Sequence, residues 1–376
     1  NNTLQENGTI ILDEPEIHLH PEWQIKFAEL IVLLQKEFKM HILLTTHSPY
    51  FLKAVQVYSK KYKISNKCKY NNKTNGGIMV DNQKKINFTK MHGCKNDYLY
   101  IDCTKNELEN PAEVSIKLSD RHTGIGSDGI ILICPSTVAD FRMRIFNADG
   151  SEAEMCGNGI RCVGKYVYDF GLTDKEEVRI ETGVRTKEEE ATGIIPENRI
   201  KILKLKIKEG KVVAATVDMG RPILTPSEIP VISDKDKFIN EAVNVDGKDW
   251  YLTCISMGNP HAVTFVDDTK SLDLPVIGPK FEFNKIFPNR TNTEFIKIIS
   301  RNEIEMRVWE RGSGETLACG TGACASAYAA MLNGLADDEV RVHLLGGDLI
   351  IKYDKDTNHI FMTGPCETVF SGSITI

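Results

Sequence analysis

Several things are scarce or missing in these 376 residues. No uninterrupted apolar run reaches the ~18 residues of a membrane-spanning helix, and no charged segment leads into an apolar core at the start, so neither a membrane span nor a secretion signal is expected. The cysteines number 10 but form no CxxC pair with a second pair downstream, which argues against a structural zinc site. Positive charge is not in excess: 46 Lys and Arg stand against 52 Asp and Glu, giving a net charge of -6. That balance speaks against a general nucleic-acid-binding surface and for a small or neutral partner. What is present is ample apolar content, 41%, enough for the cores of two or three domains. The cytoplasm is the default compartment, and there the cysteines are expected as free thiols.

The organising feature is residues 155–171, MCGNGIRCVGKYVYDFG, with an echo at residues 318–334, ACGTGACASAYAAMLNG. Each places a cysteine before Gly, a small polar residue and Gly (Cys156, Gly157, Asn158, Gly159; Cys319, Gly320, Thr321, Gly322), then enters a predicted helix that stops at a glycine. With the Cys156-to-Cys319 offset of 163 held fixed, FRMRIF at 141–146 lies over IEMRVW at 304–309, and Asn147 lies over Glu310. A strand, a loop of fixed length, a cysteine, a helix and a stop all in phase point to a duplicated domain pair.

A cysteine at a glycine-edged helix start meets unpaired backbone amides and the positive end of the helix dipole. These lower the thiol pKa and let an anionic ligand approach the backbone. Two such sites facing each other across a cleft would form a two-base device, one thiolate taking a proton from a carbon and one thiol returning a proton to the opposite face. A single cysteine is more often a buried small hydrophobe; the phased pair reverses that reading.

The start of the chain has a different texture. Its first residue is Asn, and its opening residues read like the middle of something; an apolar run at 9–12 ends in Asp13 and Glu14, a helical pattern follows over 21–38, and a second apolar run at 41–44 ends in TTHSP. ILDEPEIHLHP and TTHSP resemble the C-terminal part of an ABC-like AAA ATPase of the RecF-like type. The resemblance implies that Asp13 holds magnesium, Glu14 polarises water and His47 senses the γ-phosphate. Neither GxxxxGK[ST] nor the ABC signature occurs in the chain, so an inactive remnant is expected. Residues 60–85, rich in Lys and Asn, read as a solvated connector.

From residue 86 onward the chain carries KMHG, NDY, RHTGIG, NADGSE, MCGNGIRC, SMGNPHAV, WERGSGET, ACGTGACA and MTGP in that order. This segment resembles diaminopimelate epimerase. The resemblance implies an α+β fold of two pseudo-symmetric domains, each a central helix wrapped by a curved mixed sheet, following a small α/β ATPase-like piece over 1–82. It places the domains at 86–220, with 366–376 returning to it, and at 221–365. It implies a cofactor-free and metal-free isomerase acting on diaminopimelate, with homodimerisation. Cys156 and Cys319 become the two bases, and His261 and Glu310 assist proton removal from the thiols. Gly157, Asn158, Gly320 and Thr321 hold the α-carboxylate, and Asn96, Asn147, Asn158, Asn259, Asn292, Glu310 and Arg311 bind substrate. Lys95, where the family has glycine, puts the turn before Asn96 in question. Gly129 stands where some members use an amide side chain. The charged run at 187–211 reads as an elongated surface hairpin. The rival readings are a proline-racemase-type isomerase of the same fold and an ATPase-related binding module at the N-terminus.

Overall fold

The computed structural model describes residues 8–16, 19–46, 48–68 and 85–376. It divides into two compact units, 1–84 and 85–376. In the first, β1 (Thr9–Asp13) and β2 (His41–Thr45) pair in parallel, joined by helix α1 (Pro21–Phe38), with α2 (Pro49–Lys61) following. Parallel strands need such a crossover. Ala28, Ile31 and Val32 of α1 and Phe51, Ala54 and Val55 of α2 form its core. Asp13 accepts the hydroxyl hydrogen of Thr45 where both strands end. His47 and residues 69–84, most of the expected connector, lie outside the described residues. No helix among the described residues is long and apolar enough to cross a membrane.

The second unit runs β3 (Lys85–Gly93), β4 (Asn96–Asp102), α3 (Pro111–Ser119), β5 (Gly129–Cys134), β6 (Phe141–Asn147), β7 (Glu152–Ala153), α4 (Gly157–Asp169), β8 (Glu177–Glu181), α5 (Lys187–Thr192), β9 (Ile200–Lys208) and β10 (Lys211–Gly220). It continues with β11 (Glu241–Val245), β12 (Lys248–Ser256), β13 (Pro260–Phe265), α6 (Leu274–Glu282), β14 (Asn292–Ser300), β15 (Glu303–Glu310), β16 (Gly314–Thr316), α7 (Gly320–Leu332), β17 (Glu339–Leu344), β18 (Gly347–Asp354), β19 (His359–Pro365) and β20 (Glu367–Thr375).

Strand pairing repeats between the halves. Neighbours in the first half follow the order β20, β3, β4, β5, β6, β8, β9, β10, and in the second β11, β12, β13, β14, β15, β17, β18, β19. Each has two parallel contacts at the same places, β4 with β5 and β6 with β8, then β13 with β14 and β15 with β17. The halves join where β10 pairs antiparallel with β19. The offset seen in the sequence also holds in register: Leu99 opposes Ile130 as Ala262 opposes Thr293, and Ile131 opposes Ile145 as Glu294 opposes Val308.

Each half wraps a central helix. Nearly all of α4 and α7 is buried, as helices enclosed on every side must be, and their apolar residues join one core with both sheets. The outer faces of the sheets are covered by α3 and α6 over smaller clusters. One sequence expectation changes here: the 187–211 segment is not simply a surface hairpin. Leu203 and Leu205 of β9 are buried, and a Cβ on Gly164 of α4 would lie 2.9 and 2.8 Å from their methyl groups. The alternation of KILKLKIK is that of a strand with one face on the core and one in water.

Candidate active site

Cys156 and Cys319 occupy the same place in the two halves, each extended in backbone (φ -137° and -121°) and immediately preceding its helix. The Gly159 N–H donates to Cys156 Sγ at 3.3 Å, so the sulfur caps its own helix. Cys319 Sγ has the hydroxyl of Thr321 at 3.5 Å. The two helix starts meet at their first glycines. A Cβ on Gly157 would lie 3.6 Å from Gly320 Cα, and one on Gly320 would lie 3.5 Å from Gly157 Cα. Met362 of β19 packs against both glycines, 3.0 Å from the first such Cβ and 3.2 Å from the second.

The electrostatics differ from the sequence expectation of lowered thiol pKa values. Burial disfavours the thiolate and outweighs the helix start at both positions. Burial pushes Cys156 up, opposed by the amides of Gly159 and Asn158 and by Arg161, and assisted by Glu310. Burial pushes Cys319 well above its ordinary value, with the Glu310 and Glu294 carboxyls adding to the shift. The Glu310 carboxyl thus acts in the same direction on both thiols.

The β3–β4 turn delivers Asn96 to the first cysteine. Cys94 and Lys95 both adopt left-handed backbone (φ 53° and 65°), the conformation of a two-residue hairpin turn that glycine fills without strain. Lys95 thus takes the shape that glycine would have, and Asn96 Oδ1 accepts from Cys156 Sγ–H at 3.3 Å. Asn96 Nδ2 donates to Asp128 at 2.7 Å, which fixes its amide. In the second half His261 on β13 is fully buried, with Glu294 Oε1 2.7 Å from Nδ1 and Asn259 Oδ1 3.0 Å from Nε2.

Two opposed, glycine-edged cysteines in a duplicated fold narrow the possibilities, and comparison with known proteins decides among them. Residues 88–192 and 253–369 fit the family model described as "Diaminopimelate epimerase". The chain belongs to the diaminopimelate epimerase family. It is 57% identical over 298 residues to the diaminopimelate epimerase of Agathobacter rectalis, spanning 77% of this chain and 100% of that protein. The diaminopimelate epimerases of Acetivibrio thermocellus (54% identical) and Methanococcus maripaludis (53%) match over the same 77% of this chain and over 99% and 100% of their own lengths. Among solved structures, a Bacillus anthracis phenazine biosynthesis protein of the PhzF family shares the fold with a TM-score of 0.54 at 16% identity, covering 78% of this chain and 100% of that one. A hydroxyproline epimerase from Agrobacterium vitis does so with a TM-score of 0.52 at 10% identity, covering 77% and 91%. Residues 1–52 fit a separate model, described as "AAA ATPase domain".

Within this epimerase-family frame, the remaining residues singled out in the sequence separate into open and engaged groups. Asn147 at the end of β6 is partly exposed and donates to Ser151 at 3.0 Å. Glu310 is partly exposed at the end of β15 and accepts from the Thr316 hydroxyl, while Arg311 is exposed, donating to Asn289 O at 3.0 Å. By contrast, Asn158 is buried between Arg161, which donates to its Oδ1 at 3.0 Å, and Ala318 O, to which it donates at 3.3 Å. Asn292 is also buried: it donates to Pro260 O and accepts from the Arg311 N–H, each at 2.8 Å, tying β13 to the turn after β15. The backbone amides of Gly157, Asn158, Gly320 and Thr321 lie at the two meeting helix starts.

Four residues near the site receive no role in the motif reading, although Tyr98 and Arg161 lie within the motifs NDY and MCGNGIRC. Tyr98 stands beside Cys156 and Asn96, and burial raises its phenol pKa well above the ordinary value. Glu294 is wholly buried with one carboxyl oxygen unpartnered; burial raises its pKa against the pull of His261. Arg161 is wholly buried inside α4, and Glu282 of α6 is buried behind the turn carrying Glu310 and Arg311. The signal for the first two was available: the offset that aligns the cysteines lays Tyr98 over His261 and Ile131 over Glu294.

Proposed function

We propose that residues 86–376 interconvert LL-2,6-diaminopimelate and meso-2,6-diaminopimelate by a two-base mechanism that uses neither pyridoxal phosphate nor a metal. The observation that carries the reading is the meeting, at Gly157 and Gly320, of two helix starts each immediately preceded by a cysteine. We read the two halves as domains at 86–220, completed by 366–376, and at 221–365. One cysteine, as thiolate, takes the α-proton, leaving its electron pair on the carbon. The other, as thiol, gives its proton to the opposite face, so each turnover inverts the centre and exchanges the roles of Cys156 and Cys319. The amides of Gly157, Asn158, Gly320 and Thr321 hold the α-carboxylate and stabilise charge that develops beside it.

The substrate carries an ammonium and a carboxylate at its far end. Glu310 and Arg311 supply an acceptor and a bidentate donor for such groups, with Asn96, Asn147 and Asn259 as neutral partners. In this reading Asn292 acts by holding the turn of Arg311, and His261 acts on Cys319 through Glu294. The enzyme serves lysine and peptidoglycan-precursor synthesis as a cytoplasmic homodimer. Residues 1–82 are an ATPase-like piece in which Asp13, Glu14 and His47 stand at the acidic-pair and switch-histidine positions of the resemblance.

The test is proton-to-deuterium exchange at the α-carbon of LL-diaminopimelate. Exchange and epimerisation are expected in the parent, with loss of both in Cys156→Ala and in Cys319→Ala. Epimerisation at the parental rate by both variants sinks the two-base reading, and turnover of proline without turnover of LL-diaminopimelate sinks the substrate.

A further inference from the structure

One row of side chains on the outer face of the first half takes no part in the chemistry above. In a parallel ladder a residue donates its N–H to the residue before its partner, and Cys103 donates to Ile133 O at 2.8 Å. The β4–β5 register, with Asp102 opposite Ile133, thus continues to Cys103 opposite Cys134. Neighbouring strands stand about 4.8 Å apart, inside the roughly 4.4–6.8 Å between Cα atoms that a disulfide spans. Both side chains lie on the face that α3 covers, in one apolar cluster with Leu99, Ile101, Ile130 and Leu132. Both are free thiols, Cys103 buried and Cys134 partly exposed.

The row continues onto β6, where Arg142 is the register partner of Cys134. Cross-strand partners of an antiparallel pair bring their Cβ atoms within about 5.5 Å, so Cys134 has a thiol on one side and a guanidinium on the other. Arg142 Nε is buried with no hydrogen-bond partner among the described residues, and Glu181 Oε1 lies 3.6 Å from it. Arg144, two residues on, is held by Glu152 through hydrogen bonds at 2.8 and 3.1 Å. The Cys103 thiol donates to the Cys134 sulfur, and with Arg144 and Arg142 this holds the Cys134 thiol below its usual range despite burial; the same bond pushes Cys103 up. The duplication shows that the fold does not require this row. At the offset that aligns the repeats, the second half has Val266, Lys297 and Glu305, with Val266 donating to Ile296 O at 2.9 Å and Lys297 opposite Glu305. The same backbone arrangement there carries no sulfur.

We propose that Cys103 and Cys134 form a redox modification site, at which a low-molecular-weight disulfide such as oxidised glutathione converts the two thiols into a reversible intrachain disulfide. Cys134, partly exposed and beside Arg142, is the attacking group. Its thiolate attacks one sulfur of the external disulfide, breaking that S–S bond, expelling one thiolate and leaving Cys134 in a mixed disulfide. Cys103 then gives up its proton and attacks Cys134 Sγ, and the second external thiolate leaves. The two protons, one from each cysteine, end on the two expelled thiols, and the two electrons lost by the pair have reduced the external disulfide. Excess reduced thiol reverses both steps. The new bond closes a loop that contains α3, at the opposite end of β4 from Asn96. Nothing in it depends on the two-base reading or on the substrate.

The experiment incubates the full chain with glutathione at rising ratios of oxidised to reduced form, quenches with acid, blocks the remaining thiols with N-ethylmaleimide and identifies tryptic peptides by mass spectrometry. Peptides 96–105 and 122–142 each carry one cysteine, Cys103 and Cys134, so their linkage is read apart from any oxidation at Cys156 or Cys319. A peptide joining Cys103 to Cys134 is expected as a major oxidised species that disappears on return to excess reduced glutathione. Cys103→Ser should trap glutathione on Cys134, and Cys134→Ser should leave Cys103 unmodified. In the Cys103→Ser background, Arg142→Met should slow capture of glutathione on Cys134 severalfold at neutral pH, with Arg142→Lys restoring most of the rate. Absence of the Cys103–Cys134 peptide at every ratio overturns the proposal, as does its persistence under excess reduced glutathione. Capture of glutathione on Cys103 rather than Cys134 overturns the order of attack and the role of Arg142. If a serine variant does not fold, the linked peptide in the parent, which needs no substitution, decides by itself.

Discussion

Glu282 accepts the indole N–H of Trp309 at 2.8 Å and, through its other carboxyl oxygen, the backbone N–H of Gly312 at 3.0 Å. These two anchors bracket Glu310 and Arg311, so a buried carboxylate on α6 fixes the turn that presents both. Arg290 lies 3.5 Å from the same carboxylate and offsets its burial. Asn292 grips the turn from the other side through the Arg311 N–H at 2.8 Å.

Glu282→Gln should therefore weaken the turn without emptying the space. Hydrogen bonds to a charged group contribute about 1.5–3 kcal/mol each, and losing the charge forfeits part of that. We expect roughly tenfold lower kcat/KM for LL-diaminopimelate, most of it in KM, from the looser Glu310 and Arg311, an estimate that follows from about 1.4 kcal/mol per factor of ten. Steady-state kinetics beside a thermal melt check this; parental KM with a lowered Tm would show that Glu282 serves only stability.

Gly278 of α6 is where the same indole packs. A Cβ there would stand 2.2 Å from Trp309 Cδ2, an atom of a rigid ring rather than the end of a flexible chain. Gly278→Ala should cost about 1–3 kcal/mol by overpacking, despite the better helix propensity of alanine. Denaturant unfolding measures it, and an unchanged or raised stability would contradict the packing described.

Alkaline pH should unfold the protein through its buried thiols. Burial raises Cys366 to about 11 and Cys162 and Cys324 to about 12, each above an unfolded value near 9. A raised folded pKa means that the unfolded chain releases its protons first, so the stabilisation is complete below about pH 9 and is lost as pH rises through 11 to 12. Melting temperatures from pH 8 to 11 should fall increasingly steeply, and Cys324→Ala should flatten part of that slope. A flat profile above pH 9 would exclude the thiols as its cause.

Leu203→Ala tests whether β9 belongs to the core. The side chain is fully buried against α4, so its truncation should cost about 2–5 kcal/mol, whereas a residue on a surface hairpin would cost well under 1. Val213 on the neighbouring strand is exposed, and Val213→Ala is the control.

The duplication, both cysteines and the glycine-edged helix starts were legible in the chain because they are local: a strand, a loop and a helix repeat at one spacing. The ATPase-like segment was legible for the same reason, since its acidic pair follows directly on an apolar run. The 187–211 segment misled because its lysines and glutamates dominate composition, while burial depends only on the alternate Ile and Leu face. The thiol electrostatics misled in the opposite way. A helix start favours a thiolate, and that much is local, but burial depends on everything packed around it and was the larger effect at both cysteines.

By itself, then, the sequence determined that two equivalent cysteine sites exist, because a repeated run of residues imposes the same backbone twice. Only the tertiary structure decided how the two sites differ. Glu294 comes from β14, and its carboxyl lies against Gly322 beside Cys319, whereas Ile131 of β5 fills the matching place against Gly159 beside Cys156. Residues far apart in the chain become neighbours by packing, and the asymmetry between matching thiols arises from those neighbours.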